Sequence, residues 1–315
     1  MTKLPVLMPL PSHDYDPSEV AVSWQTLTKA GIKVVFATID GQPVQADAMM
    51  LSGEGLDPWG FIPVLKKLPL IGLVLRANKS ARDAHGQMLL DDDYQNPICY
   101  KDLKVQNFSG LILPGGHAPR MRQYLEDSIL QNFVAGFFDD SQNALESNSM
   151  APKPVGAICH GVVLAARAIS KKTGKSVLFG KKTTALTWQL EKSAWDLTRF
   201  LARFWDANYY RTYQEQAGEE KGYRGVQQEV TRNLANANDF MDVPKKAPDF
   251  LMKTAGIFRD SQQSNKPAWV VRHDFYISAR WPGDVHTFSY QFVQAFKEYD
   301  LMASNTSMQL ELSNE

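Results

Sequence analysis

The chain has 315 residues, 44% of them hydrophobic and 22% charged, and its 34 lysines and arginines are balanced by 34 aspartates and glutamates. A formal charge of zero gives no whole-molecule steering toward nucleic acid or an anionic membrane, so neither is an expected partner. Two cysteines, Cys99 and Cys159, are too few for a disulfide framework or a CxxC metal knuckle.

The first ten residues carry one basic side chain and are broken by Pro5 and Pro9, which is too little for a secretory leader. No run reaches the roughly eighteen apolar residues of a membrane span. The longest candidate, 61–75, is interrupted by Lys66, Lys67 and two prolines. A soluble protein of the reducing cytoplasm is expected.

Residues 5–10 read as a buried strand, followed by a turn-rich loop over 11–16. Asp16 as N-cap and Pro17 at the first helical position start a helix. Val20, Trp24 and Leu27 form its apolar face and Gly31 ends it. Residues 32–38 form the next strand, and Asp40-Gly41 marks a turn. This β-α-β opening predicts a parallel sheet with crossover helices. Residues 42–105 are irregular and read as an insertion, with short helical pieces at about 58–68 and 78–90.

The pattern sharpens at strand 108–113, which ends in Pro114-Gly115-Gly116-His117. A helix over about 120–139 and a polar linker over 140–150 follow. Residues 154–158 read as a strand with Cys159 at its end, and 161–170 as a helix of small and apolar residues. Residues 183–187 are expected as a strand, and 189–206 as an aromatic helix. Residues 207–265 are irregular, suited to a lid, a cap or a dimer contact. A hairpin pairs 268–272 with 276–280, a turn at Pro282-Gly283-Asp284 follows, a last helix spans about 285–299, and the tail after Ala303 is expected to fray. There is no internal repeat. The whole chain, 1–315, is expected to be a single domain with insertions at about 42–105 and 190–265.

The chemistry concentrates at the carboxyl edge of this sheet. A cysteine at a sharp strand-to-helix turn is presented there, with the N–H groups of the following helix favouring a thiolate. An isolated cysteine is ordinarily a small buried hydrophobe. That reading is kept for Cys99 and set aside for Cys159 because of the turn. The His160 amide points where an oxyanion would form, and Gly115-Gly116 offers a second donor. His160 is also a general-base candidate, or it contributes through its amide alone. Glu19, in the first turn of the first helix, reaches the same edge and can hydrogen-bond the thiol or be protonated beside a thiolate. Otherwise it only favours the helix dipole. The remaining histidines, His13, His85, His117, His273 and His286, show no metal-ligand spacing, so no metal is expected. No phosphate-cradling glycine loop follows a strand, so no cofactor is expected.

Glu19 within Asp16-Pro17-Ser18-Glu19-Val20, Leu113-Pro114-Gly115-Gly116-His117, Gly156-Ala157-Ile158-Cys159-His160-Gly161 and Ser278-Ala279-Arg280-Trp281-Pro282-Gly283-Asp284 run in order along the chain. With these pieces the chain resembles the ThiJ/PfpI family of the class I glutamine amidotransferase-like superfamily. The resemblance implies an α/β, flavodoxin-like three-layer sandwich with a mostly parallel sheet and a nucleophile elbow at Cys159. It implies Glu19 as the acidic partner of the thiol and an oxyanion site from the Gly116 and His160 amides.

Activities ascribed to the family include glyoxalase III-type conversion of methylglyoxal to lactate, deglycase or amidase-like hydrolysis, peptidase and chaperone action. The chain departs from smaller members by its two insertions. It also has no histidine over 183–191, where an amidotransferase triad would be completed. His286 is the late candidate for that role, and Glu191 or Asp284 for a third acid.

The expectation is a cofactor-free cysteine enzyme acting on a small reactive carbonyl. Cys159 adds to an aldehyde, Glu19 or His160 moves protons, and a hydroxy acid leaves. The alternatives are a cysteine hydrolase of amide or peptide bonds, and a holdase-type chaperone or redox-sensing stress protein, with a homodimer as a natural form.

Overall fold

The computed structural model describes residues 4–147 and 150–312, with side chains described through Ser304. The strands are β1 (Val6–Pro9), β2 (His13–Tyr15), β3 (Val34–Thr38), β4 (Gln45–Ala46), β5 (Ile98–Cys99), β6 (Gly110–Leu113), β7 (Val155–Ile158), β8 (Val270–His273) and β9 (Tyr276–Ala279). Seven of them form one sheet in the order β5-β3-β1-β6-β7-β9-β8, and β2 and β4 pair in a small ribbon. All pairs in the large sheet are parallel except the β8–β9 hairpin at its edge. Helices cover both faces, giving the flavodoxin-like α/β sandwich. Every residue of β1, β3, β6, β7 and β9 is buried. This is why these strands read as continuous apolar runs rather than as alternation.

Helix Pro17–Lys29 begins as its sequence dictates. The Asp16 carboxylate accepts the N–H groups of Ser18 at 2.8 Å and Glu19 at 3.1 Å, satisfying donors that the first turn leaves open. Its buried Val20, Trp24 and Leu27 pack toward the core. It also packs against helices Lys79–Met88 and Val285–Leu312, while Ser128–Ser147 packs against Gly161–Arg167.

Several expected boundaries move, each for a local reason. The expected helix 120–139 is split: Asp127 caps a new start by accepting the Leu130 N–H at 2.7 Å. The new helix runs on to Ser147, because Ala144 is buried and Leu145 packs on the core. The expected linker 140–150 is therefore helical as far as Ser147; Asn148 and Ser149 lie outside the described residues. Residues 183–187 are not a strand. Thr183 makes one bridge to Phe240 and Thr184 N–H donates to Ser278 Oγ at 2.9 Å. The last helix continues to Leu312, past the expected end at Tyr299 and the expected fraying; Ser313 to Glu315 lie outside the described residues.

In the first insertion the piece expected at 58–68 is only the short turn Leu65–Lys67, and helices form instead at Ala48–Ser52 and Ile71–Leu75. The second of these starts where the Asp57 carboxylate accepts the N–H groups of Leu70, Ile71 and Gly72, a long-range cap that periodicity does not show. This insertion leaves Val64 77% and Val74 68% exposed. Among the described residues no helix is long and apolar enough to cross a membrane.

Arg280 and Asp284 tie β9 to the last helix. Arg280 Nε and Nη2 donate to Asp284 at 2.9 and 2.7 Å, with both side chains fully enclosed. Asp284 also accepts the Trp269 N–H at 3.1 Å. Removing one partner strands a buried charge, which costs about 3–5 kcal/mol. Asp284→Ala is expected to lose that much in urea denaturation; a loss below about 1 kcal/mol would contradict this anchoring.

Candidate active site

β6 and β7 are parallel neighbours, so the loops leaving their carboxyl ends meet. Cys159, directly after β7, has φ 56°. A side chain in this left-handed region costs about 1–3 kcal/mol and persists only where its surroundings enforce it. Here they do. Cys159 N–H donates to the Ala279 carbonyl at 3.1 Å. A Cβ on Gly161 would overlap the Leu113 carbonyl, and one on Gly115 would lie 2.7 Å from the His160 nitrogen. Only glycine permits that approach, and the approach sets the elbow.

Glu19 reaches the elbow from the first helix. Its Oε2 accepts the Gly115 N–H at 2.7 Å, and Asp16 N–H donates back to the Gly115 carbonyl at 2.9 Å. Oε1 is buried without a conventional hydrogen-bond partner. The Cys159 thiol neighbours this carboxyl, and each influences the other's proton. Burial, reinforced by Asp16, pushes the Glu19 carboxyl well above the usual range. Burial and then the Glu19 and Asp16 charges push the Cys159 thiol up as well, and the His160 amide opposes this. The thiolate expected from the helix N-terminus alone is thus outweighed. Two buried acids in contact do not both ionise, so this pair retains a proton between them.

The imidazole of His160 faces the thiol, with Nδ1 3.4 Å from Sγ. Its other nitrogen, Nε2, lies 2.9 Å from Thr212 Oγ1. That hydroxyl donates to the His117 carbonyl at 2.7 Å, so its oxygen accepts a hydrogen bond from Nε2–H and Nδ1 is left bare toward sulfur. Burial, with His117, Arg167 and Arg211 nearby, pushes His160 down to about 3. The ring is therefore neutral across the physiological range.

Cys159, Glu19 and Gly116 line one cavity of about 200 Å³. Both insertions wall it, the first with Val74 and Leu75 and the second with Leu190, Leu197 and Ile257. His117 also lines it, stacked on Tyr210 with ring centroids 4.1 Å apart. The insertions are joined where Tyr209 donates to Asp47 at 2.6 Å. Glu191 also lines the cavity, and Arg211 holds it from behind. Arg211 Nε lies 3.3 Å from Glu191 Oε1, and the Val226 N–H donates to Oε2 at 3.0 Å. Burial pushes Glu191 up to about 7.

The structure thus brings together Cys159, His160, Glu19 and Gly116. The other candidates fall away. His286 lines a separate cleft with Thr26 and Lys29. Asp284 is committed to Arg280, and Glu191 to Arg211 and Val226. Among the described residues no third acid meets His160; its partner is Thr212. Cys99 sits on edge strand β5 with its thiol on the Ile39 carbonyl at 3.0 Å. Thr212, Tyr210 and Arg259 escape sequence reasoning because they lie in the irregular second insertion. The one available signal is the aromatic run Tyr209-Tyr210-Arg211-Thr212-Tyr213 in an otherwise polar stretch. Among the described residues, no three His, Cys, Asp or Glu side chains are grouped to hold a metal ion.

A family model described as ThiJ/PfpI family-like matches residues 10–224. A Schizosaccharomyces pombe protein described as uncharacterized is 27% identical over 151 residues, 47% of this chain and 51% of its own length. An uncharacterized protein of Archaeoglobus fulgidus is 32% identical over 75 residues, 24% of this chain and 37% of its own. The chain therefore spans about half or less of these curated relatives. The crystal structure of glyoxalase III from Candida albicans has a TM-score of 0.52 at 15% identity, covering 93% of this chain and 97% of that one. The Rapid Encystment Protein of Francisella tularensis has a TM-score of 0.55 at 14% identity, covering 94% and 99%. At such identities the likeness shows the fold.

The coupled proton is measurable. In wild type, alkylation of Cys159 should follow the upper of two linked ionisations, since the second negative charge forms beside the first. Glu19→Gln removes that charge, so the thiol should titrate in a single step at lower pH. An unchanged profile of alkylation rate against pH would show that the two groups are not coupled.

Proposed function

The chain belongs to the ThiJ/PfpI family, and from that premise we propose that it is a cofactor-independent cysteine enzyme converting small reactive carbonyls to hydroxy acids, in the manner of a glyoxalase III. The observation that carries this reading is the buried Cys159–Glu19 pair lining a largely apolar cavity, with the His160 ring against the thiol. The reading treats 1–315 as one cytoplasmic domain whose insertions wall the site.

In this scheme sulfur adds to the aldehyde carbon of an α-oxoaldehyde as the thiol proton passes to Glu19 or to His160 Nδ1. The oxygen is received at the Gly116 and His160 amides. The C–H proton of the former aldehyde carbon is then removed and returned to the neighbouring carbon. One carbon is oxidised as the other is reduced, so no external oxidant enters. Water cleaves the resulting thioester, releasing a hydroxy acid and the thiol. Glu19 suits both transfers, because burial raises its carboxyl well above the usual range, so it can hold and return a proton that an ordinary carboxylate would already have lost.

A second reading, a cysteine hydrolase of amide or peptide bonds, draws support from the His160 Nδ1 contact with the thiol. The depressed basicity of that ring and its hydroxyl rather than carboxylate support weigh against it. A holdase role draws on the exposed apolar residues of the first insertion, such as Val64 and Val74, which also offer a face for a homodimer.

Purified protein incubated with methylglyoxal should form lactate, and Cys159→Ala should fall to background. Glu19→Gln should lose about a hundredfold or more, the scale of a positioned proton-transfer group. With His160 protonated only near pH 3, its Nδ1 stays available at higher pH, and the rate should show no inflection at an ordinary imidazole pKa of about 6.5. Lactate formation by Cys159→Ala at the wild-type rate would refute the carbonyl reading. Equal suppression of client aggregation by both proteins, with no lactate from either, would favour the holdase.

A further inference from the structure

The cavity is larger and more apolar than methylglyoxal requires. An apolar cavity of about 150 Å³ accommodates benzene, and this one measures about 200 Å³. Methylglyoxal has five non-hydrogen atoms, one of them a methyl carbon. Beyond the reacting groups, Val74, Leu75, Leu186, Leu190, Leu197 and Ile257 all line the space. A small substrate leaves that wall without contacts, and filling it adds dispersion and removes apolar surface from water.

One cation stands in the lining. Among the described residues Arg259 is the only arginine or lysine of this cavity. Its Nη2 donates to the Leu75 carbonyl at 3.0 Å, and its guanidinium lies 5.8 Å from the Trp281 ring centroid. Among the described residues no carboxylate lies within ion-pair distance of it; the Asp16 carboxylate, which lines the same cavity, attracts it from farther off. A guanidinium has five N–H donors, and this half-buried one has donors left to offer beyond its bond to the Leu75 carbonyl.

Resting on the function proposed above, we infer that the site selects α-oxoaldehydes carrying a branched alkyl or aryl group, with the leucine wall receiving that group and Arg259 receiving the second, α-oxygen. The chemistry fits the placement. When the former aldehyde carbon loses its proton, the electron pair flows onto the α-oxygen and gives an enediolate. A fixed cation there lowers the energy of that charge more than that of the ketone. A simple aldehyde has no α-oxygen and offers Arg259 no acceptor of its own.

The test uses initial rates of the full chain on methylglyoxal, isobutylglyoxal and isobutyraldehyde. kcat/KM for isobutylglyoxal should exceed that for methylglyoxal by about tenfold or more, the scale of added methylenes in an apolar pocket. Leu190→Ala should erase much of this preference through KM. Arg259→Gln should lower kcat for both α-oxoaldehydes by about a hundredfold, and Arg259→Lys should recover part of it; near-UV circular dichroism checks that each variant is folded. Isobutyraldehyde should not be consumed.

In parallel, catalytically silent Cys159→Ala is titrated calorimetrically with lactate and with α-hydroxyisocaproate, and the latter should bind about tenfold tighter. Equal kcat/KM for the two α-oxoaldehydes, or a folded Arg259→Gln with unchanged kcat, would overturn the inference and leave the carbonyl chemistry standing. Equal binding of the two acids would overturn the role of the wall even if no turnover is found. Preferential binding of the larger acid without turnover of any α-oxoaldehyde would retain the apolar subsite and discard the carbonyl chemistry.

Discussion

At the carboxyl edge of the sheet two stretches of backbone meet with no side chain between them: Gly161 lies against the Leu113 carbonyl and Gly115 against the His160 amide. Everything distinctive about the site depends on this contact. It draws the end of β7 under the end of β6 and leaves Cys159 no choice but the left-handed region. The same glycine backbone gathers the acids, since Gly115 donates to Glu19 and accepts from Asp16. A side chain at either glycine would separate the thiol from its carboxyl.

Once assembled, the cluster is governed by desolvation. Glu19 is wholly buried and Cys159 nearly so, and each is pushed toward its protonated form by burial and by the other's charge. The resting site therefore stores a proton rather than a free thiolate, and in the proposed scheme sulfur becomes nucleophilic as that proton moves. His160 is positioned without being a strong base: Thr212 fixes its tautomer so that a lone pair faces sulfur. The insertions contribute the enclosure. Without the wall from Leu190, Leu197 and Ile257 the acids would be solvated and the coupling weakened, because water screens what burial strengthens.

Much of this is legible in the sequence where the determinants are local. Asp16 and Pro17 announce the first helix, and the strand-Cys-His-Gly-helix order announces the elbow. Glu19 follows because a parallel sheet places the start of its first helix at the same edge as Cys159. What is not legible depends on distant partners. Asp57 caps a helix 13 to 15 residues further on. Thr212 reaches His160 across 52 positions. Arg259 lies in a stretch without periodicity, and no local pattern ties it to the cavity. The linker expected over 140–150 fails for a related reason: its polar residues hide the buried Ala144 and the core contact of Leu145, which keep the helix going. The expected third acids, Asp284 and Glu191, fail because each serves a buried arginine instead.

The two cysteines allow a direct trial of the central claim, that geometry rather than accessibility makes one thiol reactive. Cys99 is partly exposed and Cys159 is buried. Turnover with an α-oxoaldehyde, stopped with acid and followed by peptide mass spectrometry, should show a covalent adduct on the Cys159 peptide and none on the Cys99 peptide. An adduct confined to Cys99, or divided equally between the two, would contradict the account.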